Sequence, residues 1–338
     1  WLIAGIIMIV IEFFMGGVTR LTGSGLSITE WKPIMGALPP LNEAEWNSAF
    51  DSYKNIAQYK YLNSHFSLSD FKFIFYWEWA HRLWARMLGV VFLIGFVYFL
   101  WKKYFDKGMV KPFVVLFLLG GVQGFIGWKM VESGLNDTDL YVKHTWLATH
   151  FLSAVTLMCY TLWFALVLLI PSHRRAGSKG MVRASIAVIV LLYVQLAYGA
   201  FMAGLHAAKN APTWPTINGE WIPGGMAANN WLHNPINVHF VHRGLAYLLL
   251  AGIILWFVYA TKQARQAGES LLAKARWWPL VLVVVQVMLG IATVLCAPYI
   301  VFAKFGVFET IAELHQLVAL GLLMAVVANL YISGRKAA

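Results

Sequence analysis

The run WEWAHRLWARMLGVVFLIGFVYFLW, residues 77–101, is apolar over about the 20 residues a helix needs to cross a bilayer, yet it opens on Glu78, His81 and Arg82. Lipid offers no partner for backbone N–H and C=O groups, so a spanning segment is a helix or a strand of a closed barrel. The run is continuously apolar and does not alternate with period two, which selects the helix. A second run, Phe240-Val241-His242-Arg243, opens another long apolar segment 161 residues later. A histidine just inside a bilayer helix is uncommon, and two at matched places suggest a duplicated site.

Working outward from residue 77, the pattern predicts eight spans: 1–17, 76–101, 111–130, 144–170, 183–205, 236–260, 277–297 and 309–332. The expected fold class is an all-α polytopic membrane protein. A chain of 338 residues that is 60% hydrophobic and 12% charged fits no ordinary globular class. Trp1 already lies inside the first span, so residues are expected before it. No cleavable signal pattern is seen.

The net charge of +11 raises nucleic acid as a partner, and its placement argues against it. Lys102, Lys103, Lys107 and Lys111 follow the second span, and Arg174, Arg175, Lys179 and Arg183 the fourth. Lys262, Arg265, Lys274 and Arg276 follow the sixth, and Arg335 and Lys336 the eighth. Against these fourteen stand only Asp106 and Glu269, so the whole basic excess lies on one side. By the positive-inside rule that side is cytoplasmic. Both termini then face the cytoplasm, in a bacterial inner membrane, and loops 18–75, 131–143, 206–235 and 298–308 face outward.

Residues 18–75, rich in Gly, Pro, Trp and Tyr, are expected to be folded. At their start Gly16-Gly17-Val18-Thr19-Arg20-Leu21-Thr22-Gly23-Ser24-Gly25, which begins in the first span, reads as a polar, flexible helix exit. It is either an anion cradle of backbone N–H groups or a turn that needs glycine. No GK[ST] follows, so it is no phosphate-binding P-loop. Cys159 and Cys296 stand in different spans with no CxxC spacing, which argues against a disulfide framework or a thiolate metal site.

Splitting the spans four and four aligns His81-Arg82 with His242-Arg243. It also aligns Gln123-Gly124-Phe125-Ile126-Gly127 with Gln286-Val287-Met288-Leu289-Gly290, and His150 with His315. Four spans per half give both halves one orientation. The expectation is two four-helix bundles, residues 1–172 and 173–338, related by a pseudo-twofold axis along the membrane normal.

His81, His150, His242 and His315 each sit a few residues from the outward end of a span, at one depth. A lone membrane histidine is usually a hydrogen-bonded packing residue; four at one depth, paired by a repeat, point to ligands. Imidazole suits iron, copper and zinc. Two histidines per half without a carboxylate cage fit bis-imidazole haem, since the other axial schemes use Cys, Met or Tyr. Arg82 and Arg243 are placed either to pair with haem propionates or to snorkel to the interface. Glu78 shares a helix face with His81 three residues on. A carboxylate in a span costs about 2.5–3.5 kcal/mol and is a functional candidate by default. The matching position in the second half is His239, so only the first half carries this acid. Glu12 and Glu313, the other intramembrane acids, read as minor, and His65, His206 and His233 as loop residues.

These motifs resemble the haem A synthase family over essentially the whole chain. The segments that carry the resemblance are GGVTRLTGSGLSITEW (16–31), FKFIFYWEWAHRLWARMLG (71–89), QGFIGWKMVESGL (123–135), WLATHFLSA (146–154), GEWIPGGM (219–226), FVHRGLAYLL (240–249) and ELHQLVALGLL (313–323). The resemblance implies oxidation of the C8 methyl of haem O to a formyl group, by successive hydroxylations with water as oxygen source, for cytochrome c oxidase biogenesis. It implies a b-type haem on His242 and His315 in the C-terminal half. It also implies haem O as substrate facing His81 and His150 in the N-terminal half, with Glu78 in the chemistry. Haem O synthase as donor, membrane lipid and an external electron acceptor follow as partners. The chain looks like the mitochondrial and proteobacterial branch, because the outward cysteine pair of the other branch is absent.

Two other readings stand beside it. A non-catalytic di-haem cytochrome b in quinol electron transfer explains the histidines and the repeat, but leaves Glu78 in one half only without a reason. A transporter with parallel repeats would put its site at broken helices near the midplane, whereas these histidines lie in unbroken runs near one surface.

Overall fold

The computed structural model describes residues 1–31, 35–106, 108–175, 178–267, 271–300 and 304–334. Lys107, Glu269, Arg335 and Lys336, four of the charges that set the expected topology, lie outside them. The described residues hold ten α-helices: α1 (Leu2–Leu21), α2 (Glu43–Lys54), α3 (Leu68–Trp101), α4 (Val110–Glu132), α5 (His144–Leu169), α6 (Lys179–Gly204), α7 (Pro235–Ala267), α8 (Leu271–Ala275), α9 (Trp277–Cys296) and α10 (Val307–Ile332). No strand occurs among the described residues beyond one isolated bridge, Ile217 with Glu220. Eight helical stretches are long and apolar enough to cross a membrane, as the sequence predicts. Side chains such as Ile94, Leu118, Phe125, Leu248 and Leu255 are exposed along them, the surface a bilayer covers.

The chain clusters into two compact units. One comprises Trp1, Ile3–Leu157 and Val301–Glu309; the other comprises Leu2, Met158–Ile300 and Thr310–Ala338.

In the first unit, two helices run further than the hydrophobic pattern predicts. α1 continues to Leu21, past the expected end at 17. α3 starts at Leu68, eight residues before the expected 76. The cause in α3 is local. Ser67 and Asp70 form a capping box, with Ser67 N–H donating to Asp70 Oδ2 at 2.9 Å. The added turns bury Phe71, Ile74 and Phe75 against Trp46, Phe50 and Tyr53 of α2. Phe50 stacks on Phe71 with ring centres 5.0 Å apart, and each such side chain contributes about 1.5–3 kcal/mol by leaving water. α2 is itself capped, Asn42 accepting from the Glu45 N–H.

The segment 42–66 is thus folded, and it is tied to the loop before α5. Ala57 N–H donates to Asn136 O at 3.0 Å, Gln58 Nε2 to Leu140 O at 3.3 Å, and Lys60 pairs with Asp137 at 2.8 Å. Inside it, buried Tyr53 donates to Gln58 Oε1 and accepts from Asn63 Nδ2. Burial pushes the Tyr53 phenol above its ordinary range, so it stays a donor.

In the second unit, Trp256 Nε1 of α7 donates to buried Ser185 Oγ of α6 at 2.9 Å. Asn237 Nδ2 donates to Met226 O, holding the loop before α7 to that helix's start. At the other end, Asn329 of α10 donates to Ala275 O, beside a small cluster of Ala264, Leu272 and Ile332.

Candidate functional site

Each of the four candidate ligand histidines, His81, His150, His242 and His315, rests against a glycine of another helix. A β-carbon placed on Gly16 of α1 would lie 3.0 Å from His81 Cε1, and one on Gly127 of α4 would lie 2.9 Å from His150 Cε1. One on Gly199 of α6 would lie 3.3 Å from His242 Cε1, and one on Gly290 of α9 3.0 Å from His315 Cε1. Glycine is needed at these places because an imidazole edge lies where a side chain would begin.

One turn before each glycine stands an acid or amide that meets the same ring. Glu12 Oε1 lies 3.2 Å from His81 Nδ1. Gln123 Nε2 lies 3.1 Å from His150 Nδ1, Gln195 Nε2 3.5 Å from His242 Nε2, and Gln286 Nε2 3.2 Å from His315 Nε2. Residues at i and i+4 sit one above the other on a helix. The sequence therefore carries one socket four times: EFFMG (12–16), QGFIG (123–127), QLAYG (195–199) and QVMLG (286–290).

Alignment of the halves finds only the second and fourth copies. The first and third are hidden by loop length: Gly16 and Gly199 precede their histidines by 65 and 43 residues, Gly127 and Gly290 by 23 and 25. The signal that finds them is the spacing itself, Glu or Gln followed four residues later by Gly in the span before each histidine helix. Glu12, read from sequence as minor, is the carboxylate nearest His81.

In the second unit the imidazole centres of His242 and His315 are 6.4 Å apart, with planes inclined at 77°. Nδ1 of each ring is buried without a hydrogen-bond partner. Metal–imidazole bonds run about 2.0–2.1 Å and a ring centre sits roughly 1.1 Å behind its nitrogen, so two imidazoles on opposite sides of one ion have centres about 6.3 Å apart. The spacing of the ring centres is compatible with both imidazoles holding one metal ion. No three His, Cys, Asp or Glu side chains converge as a metal cage among the described residues. In the first unit, His81 and His150 have glycine contacts of the same kind.

Glu78 is buried, and its carboxylate is fully engaged. Oε2 accepts from Ser27 Oγ at 2.7 Å and from the Ile28 N–H at 2.9 Å. Oε1 pairs with Arg82 Nη2 at 2.5 Å. Arg82 Nη2 also donates to Ile28 O at 3.1 Å, and its guanidinium lies over the Trp31 ring. Ser27 and Ile28, which meet this carboxylate, lie just beyond the 16–25 stretch. Within that stretch, backbone N–H groups are used internally, Thr22 on Val18 O and Ser24 on Thr19 O. Gly23, with φ +69°, is the turn glycine; Gly16 lies inside the helix and serves the histidine contact.

The equivalent place in the second unit is built alike with other chemistry. His239, fully buried, accepts from Arg243 Nε at 3.0 Å through Nδ1. Arg243 also donates to Thr216 O at 3.1 Å and Ala211 O at 3.0 Å. Arg82 and Arg243 therefore each hold a loop carbonyl and the residue one turn earlier, a use beyond the two that sequence left open.

Three of the four histidines lie where expected along their helices. His150, His242 and His315 follow the starts of α5, α7 and α10 by six to eight residues. His81 lies thirteen residues into α3, because that helix extends onto α2. Glu313 of α10 is buried with neither carboxylate oxygen hydrogen-bonded.

Residues 1–327 match the protein family described as "Cytochrome oxidase assembly protein". Among curated relatives, the "Heme A synthase" of Paracoccus denitrificans is 39% identical over 307 residues, which is 88% of this chain and 80% of the relative. That of Bartonella henselae is 37% identical over 97% of this chain and 90% of its own length. That of Sphingopyxis alaskensis is 38% identical over 100% of this chain and 92% of its own.

Proposed function

The chain belongs to the cytochrome oxidase assembly protein family, and from that premise we propose that it carries out the reaction for which its relatives are named, converting haem O to haem A in a membrane. The C8 methyl becomes a formyl group, with one water supplying the oxygen and four electrons and four protons leaving. The observation that carries this reading is the contrast between the two histidine pairs. The ring centres of His242 and His315 are 6.4 Å apart, a spacing at which both would hold one iron, with glutamines beside them. His81 has two acids on the helices around it, Glu12 and Glu78.

In this reading residues 173–338 hold a b-type haem through His242 and His315, and residues 1–172 receive haem O at His81 and His150. Bound haem supplies one-electron redox chemistry. His81 and His150 orient the substrate. Glu78, fixed by Ser27, Ile28 and Arg82, presents a stationary negative charge one turn from His81, suited to steady developing positive charge or to take a proton. Such a group costs no reorganisation during reaction, because its partners are already in place. In this reading both termini face the cytoplasm of a bacterial inner membrane, with both histidine pairs toward the outer face, an orientation that the basic flanks favour by the positive-inside rule. Haem O then arrives from its synthase, and haem A leaves for cytochrome c oxidase assembly.

The test is pigment analysis. Protein purified from cells that make haem O should yield hydroxylated and formyl haem by mass, in addition to a b-type haem. Recovery of unconverted haem alone, with electron transfer from quinol, would leave the di-haem cytochrome b as the correct reading.

A further inference from the structure

Three of the four sockets oppose the histidine with a neutral amide, and one opposes it with a carboxylate. We propose that Glu12 is the positioning residue for His81: its carboxylate accepts the Nδ1–H, leaves Nε2 as the ligand nitrogen, and makes this imidazole the most electron-donating of the four toward bound haem. The inference rests on the assignment of His81 as a haem ligand and goes beyond it.

Glu12 Oε1 is 3.2 Å from His81 Nδ1, an ion-pair distance at which the ring N–H is not yet aligned as a hydrogen bond, and Gly16, one turn along the same helix, leaves room for Cε1 beside that nitrogen. The ring, carried by α3, thus meets α1 at two positions one turn apart. Metal-bound histidines as a rule pass their second N–H to a carboxylate or carbonyl, which sets the tautomer and raises ligand basicity. An ionised acceptor makes that hydrogen bond shorter and about twice as strong as a neutral one.

The other sockets differ in composition and in the nitrogen they meet: Gln123 lies nearest His150 Nδ1, whereas Gln195 and Gln286 lie against Nε2 of His242 and His315. Gln195 Oε1 and Gln286 Oε1 are buried without partners beside His242 and His315. An amide turned end for end presents that oxygen to the ring as a neutral acceptor. Gln123 is held in place otherwise, its Oε1 accepting from Ser153 Oγ and its Nε2 donating to His150 O at 3.1 Å. The ligand pair of the first half is therefore unsymmetrical, one imidazole on an acid and one on an amide. Both imidazoles of the second half face amides. A more basic ligand favours the ferric state, so the carboxylate lowers the reduction potential of haem held by His81 relative to an amide in the same place.

The experiment compares Glu12→Gln and Gln195→Glu with the parent protein, each purified with haem O and b-type haem bound. Potentiometric titration is followed optically, and low-temperature electron paramagnetic resonance reports the ligand field. Glu12→Gln keeps shape and volume and gives the first socket the composition of the others. The potential of the first-half haem should rise, its g-values should move toward those of the second half, and its haem affinity should fall about 10–100-fold. The second-half haem should stay unchanged. Gln195→Glu should shift the second-half haem to lower potential. An unchanged first-half potential and spectrum in Glu12→Gln overturns the inference. His81→Ala separates this from failure of the underlying assignment: if its first-half haem signal matches the parent's, His81 is not a ligand and the proposed site falls first.

Discussion

Arg243 donates through Nε to His239 Nδ1 at 3.0 Å, one turn before the following ligand candidate, His242. The donor is a guanidinium, so Nδ1 of His239 is the acceptor and its proton sits on Nε2. The remaining guanidinium nitrogens hold Ala211 O and Thr216 O. Replacing Arg243 by Ala removes all three bonds at once. Hydrogen bonds from charged groups are worth about 1.5–3 kcal/mol each in a folded protein. The loop 206–234 of Arg243→Ala should be cut by protease much faster than that of the parent, an effect that Arg243→Lys only partly repairs.

Glu78→Gln tests the first-half equivalent. Removing one partner of a buried ion pair costs about 3–5 kcal/mol, because the other charge is left behind. Conversion of haem O should fall by orders of magnitude and the melting temperature should drop, while His242 and His315 keep their haem. Full turnover with normal haem content in this variant would show that Glu78 has no part in the chemistry.

The histidine pairs should separate by pigment. His242→Ala should lose the b-type haem from the purified protein. His81→Ala should keep that haem and produce no hydroxylated or formyl product. Optical difference spectra and extracted-pigment masses read both outcomes.

The glycines give a steric test of the sockets. Gly290→Val puts a branched side chain where His315 Cε1 is already 3.0 Å from the added β-carbon position, and overpacking of this kind costs about 1–3 kcal/mol. The b-type haem should be lost, as in His315→Ala. Gly124→Ala, three residues before Gly127 on a helix face where an added β-carbon meets nothing within 4 Å, should leave pigments and melting temperature unchanged.

Tyr53→Phe probes the outward segment alone. It leaves Gln58 Oε1 without its donor and Asn63 Nδ2 without its acceptor, at about 1–3 kcal/mol for a buried group left unpaired. A lower melting temperature with an unaltered haem spectrum is expected.

The spans were legible because apolar length is a composition signal that needs no tertiary knowledge. The start of α3 was not. Phe71, Ile74 and Phe75 look like the ragged edge of a membrane segment, and only α2 packed against them shows that they cover a folded outward layer. The histidines were legible by type and repeat. The first and third sockets were not, because Glu12 and Gln195 are joined to their rings across 69 and 47 residues. Glu78 was singled out as an intramembrane acid, but its partners Ser27 and Ile28 come from a loop whose path no local pattern describes.

α3 is one unbroken helix of 34 residues, about 51 Å long at 1.5 Å per residue. Its outer turns are clamped in the aromatic cluster around Trp46, Phe50 and Tyr53, and its middle carries Glu78, His81 and Arg82. A rod of this kind has little slack. Displacement of the outward layer is transmitted along the axis to His81 rather than absorbed in a hinge, so the stiffness of that layer sets how firmly the imidazole is held against α1.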